Sequence, residues 1–233
     1  MAQKFPLVIN DKEWREVMTT LREIVLSCPV CGNSFQSQAV ATTNAFGGKR
    51  TDFHERAAGT QPLAYLVHMC LHCGYSGGER DFDTEGEVSP LLKEHVLNEL
   101  APSVSMSPVG SSKYEAAAKV AEWQGMHARS IADLLLRAAW CCVDEDDVEA
   151  ERYFRRHAVW MFERALTEYD CVPDDERAVL TYLIGELWRR IGDLKQSRAW
   201  FEKVPAEIVD ENTQYWIVAA AEQQVINPQE WFG

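Results

Sequence analysis

The chain has 233 residues, 46% of them hydrophobic, and a formal net charge of −13. That length and apolar content suffice for one large or two small cores, and no apolar run is long enough to span a bilayer. The acidic surplus, densest at Asp81 to Glu87 and Asp144 to Glu151, weighs against a phosphate backbone as partner, and an N-terminus without a hydrophobic leader points to the cytoplasm.

In chain order, Asp11 to Thr20 is predicted to form a short amphipathic helix with Trp14, Val17 and Met18 inward. Ile24-Val25-Leu26 then reads as a strand feeding Cys28-Pro29-Val30-Cys31-Gly32. The following insertion is rich in Gly, Thr, Asn and charge. It is predicted to be an irregular loop, loose without a metal and anchored by Phe35, Phe46 and Phe53. Lys49, Arg50 and Arg56 alternate there with Asp52 and Glu55, the pattern of a solvated loop. His54 beside Asp52 and Glu55 has the residue types of acid–base chemistry, but no second histidine stands at ligand spacing. A second strand, Ala64 to Met69, ends on Cys70-Leu71-His72-Cys73-Gly74.

Thirty-eight residues separate Cys31 of the first CxxCG segment from Cys70 of the second. Each turn puts two sulfurs on one side of a tight loop, and the glycine lets the backbone aim N–H groups at them. Cys28, Cys31, Cys70 and Cys73 together predict a closed tetrahedral zinc site of the ribbon type, one structural ion per chain. Tetrahedral sulfur suits iron as well, as in a rubredoxin-like electron carrier. Neither pair opens a helix in a βαβ context, which argues against dithiol exchange. The other three cysteines, Cys141, Cys142 and Cys171, fit a reducing compartment rather than a disulfide framework. His68 and His72 flank Cys70, but four thiolates already complete a tetrahedron, so a hydrogen-bonding or exposed role is expected for both. Tyr65, Tyr75, Phe35 and Phe82 are expected to cover the small ribbon core.

Ser89-Pro90 supplies an N-cap and a first-turn proline for a helix that stops before Pro102. Residues 101–112, with Pro, Ser and Gly, have linker composition. Beyond them lie seven of the eight tryptophans and five predicted helices: Tyr114–Cys142, Glu145–Tyr169, Asp175–Ile191, Lys195–Val204 and Asn212–Val225. The acidic runs Glu145-Asp146-Asp147 and Asp174-Asp175-Glu176 precede helices, where capping accounts for them. Gly185-x-x-Trp188-x-x-x-x-Asp193-x-x-x-Ser197-x-x-x-Phe201 matches Ala138-x-x-Cys141-x-x-x-x-Asp146-x-x-x-Ala150-x-x-x-Phe154 at an offset of 47 residues. Small residues that let paired helices approach, followed by an aromatic, resemble the tetratricopeptide repeat.

The knuckle Cys-Pro-Val-Cys-Gly-Asn-x-Phe, the insertion, Pro62-x-x-Tyr65 ahead of Cys70-x-x-Cys73-Gly74-Tyr75, and the helical region resemble the bacterial family called domain of unknown function 2225, from about Cys28 to Phe201. The resemblance implies metal ligation at Cys28, Cys31, Cys70 and Cys73 in a bacterial cytoplasmic protein, and it implies no activity. The expected architecture is α+β, mostly α. A four-cysteine zinc ribbon with short flanking helices occupies residues 1–100, a linker 101–112, and a tetratricopeptide-like helical domain 113–233. The expected function is a non-enzymatic adaptor that binds a protein or peptide partner through the concave face of its helical repeats. The alternatives are an electron carrier or redox switch at the four-cysteine site, and nucleic-acid binding through the ribbon. Membrane association is not expected.

Overall fold

The computed structural model describes residues 18–83 and 88–232. The helix expected at Asp11 to Thr20 lies outside these residues, except at its end, where Thr20 already begins a strand. Strand β1 (Thr20–Ser27) pairs antiparallel with β2 (Ser34–Thr42), with Leu26 opposite Phe35 and an irregularity between Thr20 and Leu21. The period-2 alternation is visible at the end of β1, where Leu26 is buried and Val25 exposed. A second, very short hairpin joins β3 (His68–Met69) to β4 (Ser76–Gly77). The strand expected from Ala64 is therefore cut to its last two residues. Leu63–Tyr65 instead forms a 3-10 turn, tied down by Tyr114 Oη and Lys113 Nζ, which donate to the Leu63 and Ala64 carbonyls.

Among the described residues there are seven α-helices: α1 (Pro90–His95), α2 (Gly110–Trp123), α3 (Ala128–Asp144), α4 (Val148–Ala165), α5 (Asp174–Ile191), α6 (Leu194–Phe201) and α7 (Glu211–Ile226). The molecule is thus α+β and mostly α. Ser89 caps α1 by accepting from the Leu92 N–H. The single helix expected from Tyr114 to Cys142 is two. Gly125 takes φ +70° and the Met126 N–H reaches back to the Ala121 carbonyl, a Schellman-type stop whose only sequence trace was one glycine in an otherwise helical run. Residues 101–103 form a 3-10 turn, and α2 has begun by Gly110. Two faces of α2 serve two cores. Ala116 and Val120 pack with Leu26, Phe35, Tyr75 and Phe82 around the cysteines, whereas Tyr114, Ala117 and Ala121 pack into the helical core with α3 and α4.

The paired helices approach closely where the sequence places small residues. A Cβ on Gly185 would sit 2.8 Å from the Phe201 ring, so this α5–α6 contact requires glycine. The matching segment has Ala138 and Phe154, both buried. The two inter-helix turns differ by one residue, however. Asp193 caps α6 by accepting from the Gln196 N–H, but the corresponding cap of α4 is Asp147, which accepts from Ala150; Asp146, aligned with Asp193 at the 47-residue offset, adopts φ +56° instead.

The insertion departs most from expectation, because residues 50–54 are built into the helical core. Asp52 and His54 are buried, and Phe53 (φ 67°) packs against Tyr182 of α5, Trp216 of α7 and Phe232. The Asp52 Oδ2 accepts from Arg155 Nη1 of α4 at 2.7 Å and Trp140 Nε1 of α3 at 3.1 Å, with Arg190 Nε of α5 3.6 Å away. Thr51 Oγ1 donates to the buried Glu186, which also receives Arg189 and Arg190. Backbone hydrogen bonds from Thr51 to Glu230 and from Phe232 to Lys49 stitch the C-terminal segment on. Arg50 and Arg56, expected to be solvated, are largely covered and paired with Glu230 and Asp144. Only Lys49 of the three behaves as a surface cation, facing Glu55.

Candidate metal centre

Each knuckle is shaped by the same pair of backbone bonds. In the first, Gly32 N–H donates to the Cys28 carbonyl and Cys28 N–H to the Asn33 carbonyl; in the second, Gly74 donates to Cys70 and Cys70 to Tyr75, all at 2.8–2.9 Å. Gly32 and Gly74 adopt φ +74° and +77°, the left-handed turn that a side chain resists. At Gly74 space forbids a side chain too, since a Cβ would lie 2.8 Å from Leu100. The β1–β2 and β3–β4 hairpins thus present two equivalent sulfur pairs to one another.

The four sulfurs lie within 4.8 Å of one another, with Cys28 to Cys73 and Cys31 to Cys70 both at 3.6 Å. A tetrahedral zinc with bonds of about 2.3 Å requires sulfurs about 3.8 Å apart. The spacing therefore fits a four-coordinate ion, and the cluster fits a zinc-ribbon-like site. Cys28, Cys70 and Cys73 are buried and Cys31 is half-covered, its sulfur accepting from Asn33 Nδ2 at 3.3 Å. Left to the side chains alone, the thiols compete for protons. The Cys70 sulfur, ahead of burial, pushes the Cys28 thiol up to about 12; Cys28 and Cys70 push Cys73 higher still; and hydrogen bonds from Cys28 and Cys73 hold Cys70 down as the thiolate. A bound cation relieves this competition by taking the place of the shared protons.

The flanking histidines lie outside this set. His68 is buried, with Nδ1 2.9 Å from Ser37 Oγ and its pKa lowered chiefly by burial; His72 is exposed. Phe35, Tyr75 and Phe82 form the small core behind the knuckles, with ring centroids 5.3 Å apart in edge-on pairs, while Tyr65 sits to one side beneath Lys113. Cys141 and Cys142 are buried in the helical core, where burial pushes the Cys142 thiol up to about 12 and Cys141 beyond. Burial thus disfavours the thiolate form at both.

Asp52 and His54, the residues with the types of acid–base chemistry, are both buried. His54 stacks on Trp140 with centroids 4.9 Å apart, and burial first of all lowers its pKa to about 4. Apart from Arg50, the polar partners of Asp52 (Trp140, Arg155 and Arg190) are 88 to 138 residues away in sequence, so no local signal announced them.

Residues 21–225 match the family described as "Uncharacterized protein conserved in bacteria (DUF2225)", and the chain belongs to that family. No curated protein and no solved structure matches the chain.

Proposed function

We propose that this member of the DUF2225 family is a non-enzymatic interaction protein of the bacterial cytoplasm. In this reading Cys28, Cys31, Cys70 and Cys73 hold one structural zinc, and the tetratricopeptide-like helices dock a protein partner. The inner side of those helices receives the chain's own Asp52 and Phe53, so the reading places the partner on the outer face of α4. The observation that carries it is a stripe on that face. Tyr153 and Trp160, each 51% exposed, flank His157 with ring centroids 4.0 and 5.0 Å away, beside Arg152 and Arg156, which make no ion pair among the described residues. Trp, Tyr and Arg are the residues in which binding energy concentrates. A basic, aromatic stripe on a molecule of net charge −13 suits an acidic segment of a partner protein.

The rings pack on one another instead of standing apart as slots for bases, which favours a protein over single-stranded nucleic acid. The test compares the wild-type chain with Trp160→Ala and Arg156→Glu as baits in quantitative affinity capture from the native host. A protein retained by wild type and lost at least tenfold by both variants is the expected result. Identical capture by all three would refute the assignment. Elemental analysis of untagged protein reads the metal: about one zinc per chain is expected, and iron would turn the reading to electron transfer.

A further inference from the structure

We propose that His127, Glu168 and Cys171 form a second cation site, suited to zinc-class ions and open to solvent at its fourth position. One donor atom from each of the three residues lies within 4.8 Å of the others. His127 is the residue before α3, at the end of the turn from α2, while Glu168 and Cys171 lie in the turn between α4 and α5. The N-terminus of α3 and the C-terminus of α4 meet at one end of their hairpin, which brings together donors some 40 residues apart in sequence.

Each side of the site is preformed. Glu168 and Cys171 stand three residues apart in a turn closed by the Cys171 N–H on the Glu168 carbonyl at 3.5 Å, with Asp170 left-handed at φ 52°. That turn places a carboxylate and a thiol on one side, as a CxxC knuckle places two thiols. The carboxylate is oriented by Arg164 Nε at 2.6 Å on one oxygen and by the Ala128 N–H at 3.3 Å on the other. Such outer contacts are what fix a ligating carboxylate in established metal sites. Capping of α3 explains why Glu168 sits there, and a hydrogen bond from the Cys171 side chain holds the thiol beside it; neither explains an imidazole converging on the same point.

The donor set selects the ion. One nitrogen, one sulfur and one oxygen suit zinc and its borderline neighbours, not magnesium or calcium, which take oxygen ligands. Three protein ligands with one position left over are also the arrangement of a reactive rather than a closed zinc site. His127 is exposed and the other two are half-buried, so an ion enters without the fold opening. On binding, the Cys171 thiol releases its proton to solvent, and the thiolate and the Glu168 carboxylate together balance the dication.

The test is a zinc titration of the full chain, purified with its cysteine cluster loaded, against a chromophoric chelator. A second equivalent is expected, weakened by about tenfold or more in both His127→Ala and Cys171→Ser. With cobalt as the added ion, a single-thiolate charge-transfer band is expected in wild type and absent in Cys171→Ser. Unchanged urea midpoints would show that the variants are folded. Saturation at one ion per chain, or a second equivalent held equally well by both variants, would overturn the site.

Discussion

Asp52 is a fully buried carboxylate on which three arginines converge. Burial by itself would raise its carboxyl, but the Arg155 guanidinium, followed by Arg190 and Arg50, overrides that and holds it well below the usual carboxylate range. Removing one member of a buried charge set costs about 3–5 kcal/mol, because the partners are left uncompensated in a dry site. Asp52→Asn should therefore cost that much in urea unfolding, whereas Glu55→Gln, beside it on the surface, should cost less than about 1 kcal/mol. His54 gives the same insertion a pH signature. Its folded pKa of about 4 lies below the ordinary value near 6.5, so the unfolded chain binds the proton more readily. Its contribution is complete above about pH 6.5 and is lost as the pH falls toward 4, amounting to at most about 3 kcal/mol. Asp52, ionised in the fold throughout that window, begins to lose stability only below about pH 4. Urea midpoints at pH 7.5 and 4.5 should thus fall further for wild type than for His54→Gln; equal falls would show that His54 is not what the acid limb reports.

At the scale of elements, the contact between α5 and α6 is set by the absence of a side chain. Gly185→Ala puts a methyl 2.8 Å from the Phe201 ring, a clash worth about 1–3 kcal/mol in a packed core. Phe201→Leu in the same chain should restore part of the loss, since the two sites are in contact and their effects do not add. A double-mutant cycle by thermal unfolding reads this directly, and strict additivity would place the strain elsewhere. This element was legible beforehand because its information is local: the small residue and the aromatic recur at fixed spacing, while the capping aspartate shifts by one residue, from Asp193 in the second copy to Asp147 in the first. The cysteine pairs were legible for the same reason, since CxxCG encodes its own turn. What escaped was carried by single residues acting against their surroundings. Gly125 stops a helix that composition would continue, and residues 64–67 leave the strand their apolar character suggested because Lys113 and Tyr114, some fifty residues on, take up the Leu63 and Ala64 carbonyls.

On the scale of the whole molecule, the insertion was unreadable because its partners are distant. A loop of Gly, Thr, Asn and charge looks solvated until Arg155, Arg190 and Glu230 are brought around it, and only the tertiary fold does that. The consequence is that residues 49–55 are held by the helices and the C-terminal segment rather than by the cysteine cluster they interrupt. The Arg50 N–H donates to the His54 carbonyl, Phe53 to Arg50, and Thr51 to Glu230. Two perturbations should therefore have opposite footprints in amide hydrogen exchange. Stripping metal with a chelator should accelerate exchange around residues 28–35 and 70–76 while Arg50, Thr51 and Phe53 stay protected. Deleting residues 229–233 should expose those three amides, together with the α5 turn carrying Glu186, Arg189 and Arg190, and leave the knuckles slow. If the chelator instead released the insertion along with the knuckles, the cysteine cluster rather than the buried ion pairs would be what fixes it in place.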